Sequence, residues 1–396
     1  MRKALILKLK SRAMAAVAAT GALLVAVAMP GAALAACGDD YNLDYHASLG
    51  KLDICTIEHE LPEAVNILTN WGARPVWVDN TSFVFLNNMV GDVYMMDIGS
   101  NTVRLLTGHF AHAGFTRAQP LPNGDLLLVG PSSGPQPPME PLELYERGRF
   151  EGDMFVLKKP FNGQPVPLGV HAWEGVAVSR KSNRIAWSDT DKPFFGSNLI
   201  ETGLNYLLGR SNLWVGELVY DRSGKPSLVN RRIVKRKFGL VFYEPQDFRG
   251  HWDQELLYSA YGPGAEGSSD TYVYNFFWNW SWKKPWYSWG YNEWEGVSPD
   301  FKRAFIERDP EATEFSGPGH IDAWLWDFAS GKPIPFAQFR RADNFSLGNA
   351  VFSPDGRYVL MSADASLGDA PDAPGYSVGI ALIDYKGWLA NPQVLR

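Results

Sequence analysis

One stretch near the C-terminus constrains the fold more than any other feature. Ala350-Val351-Phe352-Ser353-Pro354-Asp355-Gly356-Arg357-Tyr358-Val359-Leu360-Met361-Ser362 reads as strand, turn, strand. Pro suits the second turn position because its ring fixes φ, Gly suits the fourth, and the flanks alternate as strands do. Gly379 to Tyr385 then reads as a third strand. The same grammar recurs upstream, where Val76–Asn80, Ser82–Leu86, Asp92–Asp97 and Thr102–Thr107 make a complete four-strand unit. Further copies begin at Leu121-Pro122-Asn123-Gly124, Val176–Ser179, Asp247–Gly250 and Val297–Asp300. Together these give about six units at a period of roughly 40–65 residues, the repeat length of four-stranded blades arranged around an axis.

Composition agrees with this reading. A chain of 396 residues that is 45% hydrophobic and 20% charged can bury a large core, which excludes disordered and fibrous classes. Abundant Gly, Pro, Trp and Tyr, with few long helical patterns, favour short strands joined by turns and hence an all-β chain. On these residues the sequence resembles the TolB-like β-propeller family of exported bacterial proteins, built from WD40-like (PD40) repeats. One complete turn (Ser353–Gly356), one near-complete turn (Ser298–Asp300, then Phe301) and four degenerate copies carry the likeness, over nearly all of the chain after Gly72. The resemblance implies a six-bladed β-propeller over 73–396 and an interaction or ligand-binding module. The family's namesake carries an α/β domain ahead of its propeller; here only 37–72 stand between the leader and the first unit, which predicts a different role.

Residues 1–36 read as an export signal. Arg2, Lys3, Lys8, Lys10 and Arg12 precede an apolar run from Met14 to Met29, followed by Pro30-Gly31. Removing those cations and no acid makes a chain of net charge −6 still more acidic, which argues against a nucleic-acid partner. Leu34-Ala35-Ala36-Cys37 resembles a lipobox, which would make a membrane-anchored lipoprotein. Ala33-Leu34-Ala35 read as an ordinary cleavage site instead leaves Cys37 free to pair with Cys55. Both readings place a monomeric protein outside the cytoplasm, in the periplasm or cell envelope, touching membrane only through that anchor. No later stretch approaches the ~18 apolar residues of a membrane span. Within 37–72, Leu52–Ile57 and Ala64–Leu68 read as strands that either join the last unit to close the ring or form an incomplete extra blade.

In such a fold the starts of the innermost strands and the loops between second and third strands share one face. The long insertions 131–152, 190–211, 261–269, 310–320 and 365–376 all fall between those strands, which places function there. Aligned on the turns, Glu174, Glu244 and Glu293 occupy matching positions at the channel mouth. Carboxylates converging there can bind Ca²⁺, hold a cationic ligand, or divide acid and base roles. Otherwise each simply accepts neighbouring backbone amides. His112 and His171 both occur as His-Ala before an innermost strand. Either is a structural histidine, or His171 with Glu174 and Glu293 could ligate a transition metal. No zinc-protease, nucleophile-elbow or phosphate-loop motif is present.

The stretch Phe276–Trp289 is the most aromatic. Trp278, Trp280 and Trp282 alternate, so on one strand they share a face, either as an exposed platform or, as this fold class favours, as packing between blades. Trp286, Tyr287 and Trp289, after Lys-Lys-Pro, are expected on an accessible loop as a partner or ligand surface. The functional expectation is a non-catalytic envelope binding protein for a protein, small-molecule or glycan ligand. The alternative is a metal-assisted lyase or hydrolase acting on an exported polysaccharide or other polymer.

Overall fold

The Ser-Pro-Asp-Gly turn is held by side-chain hydrogen bonds that need those residue types. In the computed structural model, Ser353 Oγ donates to Asp355 Oδ1 (2.7 Å) and accepts from the Tyr358 N–H (2.9 Å), and the Arg357 N–H donates to Asp355 Oδ1 (3.0 Å). Gly356 has φ 69°, a left-handed conformation that costs a residue bearing a Cβ about 1–2 kcal/mol. The copy at Ser298 makes the equivalent bonds to Asp300, Lys302 and Arg303, with Phe301 at φ 61° in the glycine's place.

The structure describes residues 62, 64–87, 90–131, 148, 152–190, 210–238, 242–261, 269–284, 290–312, 321–338, 345–365 and 379–395. Residues 1–36, Cys37, Cys55 and the strand expected at Leu52–Ile57 lie outside them, as do most of the five long insertions.

The strands β1 (Val65–Thr69), β2 (Ala73–Trp77), β3 (Ser82–Leu86), β4 (Val93–Asp97) and β5 (Thr102–Leu105) open the fold. They are followed by β6 (Arg117–Pro120), β7 (Leu126–Pro131), β8 (Gly152–Leu157), β9 (Val166–Val178), β10 (Arg184–Thr190), β11 (Arg210–Tyr220) and β12 (Pro226–Phe238). Next come β13 (Phe242–Arg249), β14 (Glu255–Tyr261), β15 (Ser269–Asn275), β16 (Trp280–Lys283), β17 (Tyr291–Val297), β18 (Arg303–Asp309), β19 (Asp322–Asp327) and β20 (Lys332–Ala337). The chain ends with β21 (Phe345–Phe352), β22 (Tyr358–Ala365), β23 (Gly379–Asp384) and a short helix α1 (Tyr385–Ala390).

Among the described residues these strands form four four-stranded sheets, β2–β5, β13–β16, β17–β20 and β21–β23 with β1, and one seven-stranded sheet, β6–β12. The larger sheet exists because β9 is long. Its first half pairs with β8 (Val166↔Val156, His171↔Asp153) and its second half with β10 (Trp173↔Ser188, Val178↔Ile185). The innermost strands pack in a closed circuit, β2 on β6, β6 on β9, β9 on β13, β13 on β17, β17 on β21 and β21 on β2. The result is an all-β, propeller-like arrangement.

The core lies between sheets. One cluster joins Val84, Leu86 and Val93 to Ala118, Leu126 and Leu128 of the following sheet. Another joins Phe305 and Leu325 to Met361 and Ile383, and α1 seals it by placing Trp388 against Phe336 and Tyr385 against Phe352.

Strand β1 pairs antiparallel with β23 (Val65↔Ile383, Ile67↔Ala381), so an N-terminal strand completes a sheet whose other strands are C-terminal. Ile67 is buried in the shared core. Its replacement by Ala should cost about 2–5 kcal/mol, as Ile383→Ala should on the neighbouring strand. Urea unfolding of both variants checks this, and a wild-type midpoint for Ile67→Ala would contradict the pairing.

Candidate functional site

Four carboxyl side chains meet near the starts of the inner strands. Glu244 comes from β13, Glu293 and Glu295 from β17, and Glu307 from β18, where it is the register partner of Glu293. All four are between 2% and 7% exposed. Carboxylate oxygens of Glu293, Glu295 and Glu307 lie within 4.8 Å of one another. Like charges at such spacing in a dry environment cannot all ionise without a compensating cation or proton.

The surrounding polar groups come from distant parts of the chain. Arg117 Nη2 on β6 donates to Glu244 Oε1 (3.2 Å), and the Tyr261 hydroxyl donates to Glu244 Oε2 (2.9 Å). Gln246 Nε2 donates to Glu293 Oε1 (2.5 Å). Asn349, at φ 49° on β21, donates its N–H to Glu307 and hydrogen-bonds Glu295 through its side chain. On β9, Gly175 lies against the Glu244 side chain: a Cβ there would lie 2.6 Å from Glu244 Cγ and would force that side chain to shift.

Burial, reinforced by the negative charges of Glu244, Glu295 and Glu307, pushes the Glu293 carboxyl well above its ordinary range. Glu295 is likewise pushed well up, by burial and by Glu307 and Glu244, with Arg117 opposing. Burial raises Glu307 to about 7 against the restraining N–H of Asn349. The Tyr261 hydroxyl is raised by burial and by the carboxyls of Glu244 and Glu293, which keeps it protonated as a donor.

Of the residues singled out from sequence, the structure brings Glu244 and Glu293 together, buried rather than open at a mouth. Glu174 lies on β9, with its side chain outside the described residues. His171 is not in the cluster. It stands on the first half of β9, its side chain 78% exposed and paired with Asp153 (2.5 Å). The continuous β9 makes this position part of an outer pairing with β8, so His171 does not flank the axis as expected. His112 is also held elsewhere. Its Nδ1 accepts the Gly114 N–H (2.9 Å), so Nε2 carries the proton and donates to Asp92 Oδ1 (3.1 Å), an acceptor shared with Thr107. That is a local brace on the connection between β5 and β6.

The expected packing of the alternating tryptophans holds only for Trp282, which is half-buried against the Trp294 cluster. Trp278 and Trp280 are exposed, because the turn between β15 and β16 takes in Trp278 and leaves the alternation only two residues of strand. Trp286, Tyr287 and Trp289 lie outside the described residues.

Sequence reasoning missed Glu295, Glu307, Arg117 and Asn349. The Glu-x-Glu spacing of 293 and 295, and a lone glutamate inside the apolar strand Arg-Ala-Phe-Ile-Glu, were available signals. A depression of about 550 Å³ lies at the other end of β13, lined by Arg249, His251, Gln254, Phe301, Lys302 and Phe328 among others. Arg249 there pairs with Glu255 and stacks over Phe328 (3.8 Å).

No protein-family model matches the chain, and no curated protein does. Among solved structures it is similar to an oligogalacturonate lyase in complex with manganese (10% identity, TM-score 0.47, 82% of this chain and 78% of that one). It is similar also to a TolB-like protein from Agrobacterium tumefaciens (13%, 0.47, 77% and 91%) and an oligogalacturonate lyase from Vibrio parahaemolyticus (8%, 0.44, 81% and 93%). Among the described residues no helix is long and apolar enough to cross a membrane.

A carboxyl whose folded pKa is raised binds protons more tightly in the folded chain than in the unfolded one. Its stabilising contribution is therefore full below the ordinary value of 4.5 and is lost as pH rises through about 7. In chelator, urea unfolding at pH 5 and pH 8 should show the protein less stable at pH 8, with Glu307 contributing on the order of 3 kcal/mol. Glu307→Gln should shrink that difference, and an unchanged difference would contradict the assignment.

Proposed function

We propose that this chain is an exported, six-bladed β-propeller binding protein whose axial carboxylate cluster holds a divalent cation. The six blades follow if the seven-stranded sheet is counted as two blades sharing β9, the first ending and the second beginning within that strand. Export rests on the basic and apolar leader at 1–36.

The observation that carries the metal reading is the mutual approach of Glu293, Glu295 and Glu307, buried, with all three ligand oxygens inside 4.8 Å. The Arg117 guanidinium pairs with Glu244, which is not one of those three carboxyls. An all-oxygen, anionic donor set favours a hard cation such as Ca²⁺, Mg²⁺ or Mn²⁺ over a nitrogen- or sulfur-seeking one. Such a cation would neutralise the cluster and offer an oxygen-bearing ligand a binding point on the axis. Arg117, Tyr261 and Gln246 would keep Glu244 and Glu293 oriented. The partner is then a protein, small molecule or glycan reaching the axis from the face where the inner strands begin.

A second reading, a lyase or hydrolase acting on an exported polymer, is favoured by the burial of Glu307 among other carboxyls, which raises its carboxyl toward the range of a general acid or base. Elemental analysis of protein purified without chelator, with melting curves plus and minus EDTA, tests the metal reading. Stoichiometric divalent metal is expected, with EDTA removing about 2.7 kcal/mol where the cation stood at a hundredfold over its Kd. Glu295→Gln should lose both the metal and the EDTA response. Metal-free protein indifferent to EDTA would leave the carboxyls sharing protons and overturn the cation site.

A further inference from the structure

Four of the large apolar side chains most exposed among the described residues crowd one end of the β13–β16 sheet. Trp252 stands in the turn between β13 and β14, Phe277 and Trp278 in the turn between β15 and β16, and Trp280 opens β16; they are 65–83% exposed. The two turns are tied together by the Phe276 N–H donating to the Gln254 carbonyl (2.8 Å). They form one edge, at the opposite end of β13 from Glu244. Apolar side chains this exposed and this concentrated mark an interaction surface.

The neighbouring strand supplies the charge. β12, Pro-Ser-Leu-Val-Asn-Arg-Arg-Ile-Val-Lys-Arg-Lys-Phe, carries Arg231, Arg232, Lys235, Arg236 and Lys237 and no acid, within a chain of net charge −6. It abuts the aromatic edge directly: Arg232 lies over the Phe276 ring (5.6 Å) and Lys235 over the Trp280 ring (6.0 Å). Arg231, Arg232, Arg236 and Lys237 are exposed.

We infer that this edge docks the protein onto an anionic bilayer surface, with the aromatic tips at the headgroup boundary and the β12 cations against lipid phosphates. Tryptophan suits that boundary because its ring is apolar and its N–H remains hydrogen-bonded, and nearby Lys and Arg add attraction to anionic headgroups. A soft surface fits better than a sugar ring. The Phe277 and Trp278 rings stand at 89° to each other and present no shared flat face, and neither they, Trp252 nor Trp280 line the adjoining depression. The inference is independent of the cation site.

Co-sedimentation of the full chain with phosphatidylglycerol vesicles and with phosphatidylcholine vesicles tests it. Wild type should bind the anionic vesicles, and added salt should weaken the binding. The triple variant Trp252→Ser, Phe277→Ser, Trp278→Ser should bind them about tenfold more weakly, and Arg231→Gln with Lys237→Gln should lower affinity about tenfold as well. Both variants change exposed side chains, so wild-type melting temperatures are expected and are checked alongside. Equal vesicle binding by wild type and variants would overturn the inference, because the leader or another surface would then account for it. So would failure of wild type to bind, or retention of the variant-sensitive interaction on an anionic polysaccharide resin but not on vesicles.

Discussion

The closed circuit of inner strands is the constraint on which the rest of the structure depends. Each of β2, β6, β9, β13, β17 and β21 packs against the inner strand before it and the inner strand after it in the circuit. Side chains at corresponding heights on these strands are thereby carried toward a common axis. Arg117 and Glu244 show the effect: they are 127 residues apart, with β9 between their strands in the circuit, and still make a 3.2 Å ion pair. A second tie comes from β1, which precedes the first sheet in the chain and adds the outermost strand to the sheet of β21–β23.

Convergence concentrates charge. Glu293, Glu295 and Glu307, packed this closely out of water, cannot all stay ionised without compensation, since a buried charge is tolerated only when paired. Either protons or a cation must supply the balance. The hydrogen bonds around the cluster fix where the carboxyls point in both cases: Gln246 holds Glu293, Asn349 holds Glu295 and Glu307, and Tyr261 holds Glu244. The directions of the buried carboxyls are thus set by neighbouring protein groups.

What the sequence revealed follows the range of each interaction. The Ser353–Gly356 turn was legible because its bonds span two to five residues, and the strands around it alternate visibly. Glu244 and Glu293 were found by counting back from the turns, a local operation. Glu295 and Glu307 escaped because their meeting depends on the cross-strand register of β17 and β18, which breaks between Trp294 and Val297. Arg117 escaped because it acts across the ring. His171 was misplaced by a topological detail, the continuity of β9 from an outer to an inner position. The tryptophan alternation misled because a turn at 276–279, with Asn279 at φ 50°, interrupts the strand that the pattern suggested.

The central claim, that the converging glutamates form a cation site, is tested most directly by anomalous diffraction from crystals grown with manganese and collected at the manganese edge. The account predicts one strong anomalous peak bounded by carboxylate oxygens of Glu293, Glu295 and Glu307, at distances of about 2.0–2.6 Å, as hard cations take with oxygen ligands. Absence of a peak at saturating manganese, with the three carboxyls hydrogen-bonded to one another, would contradict it.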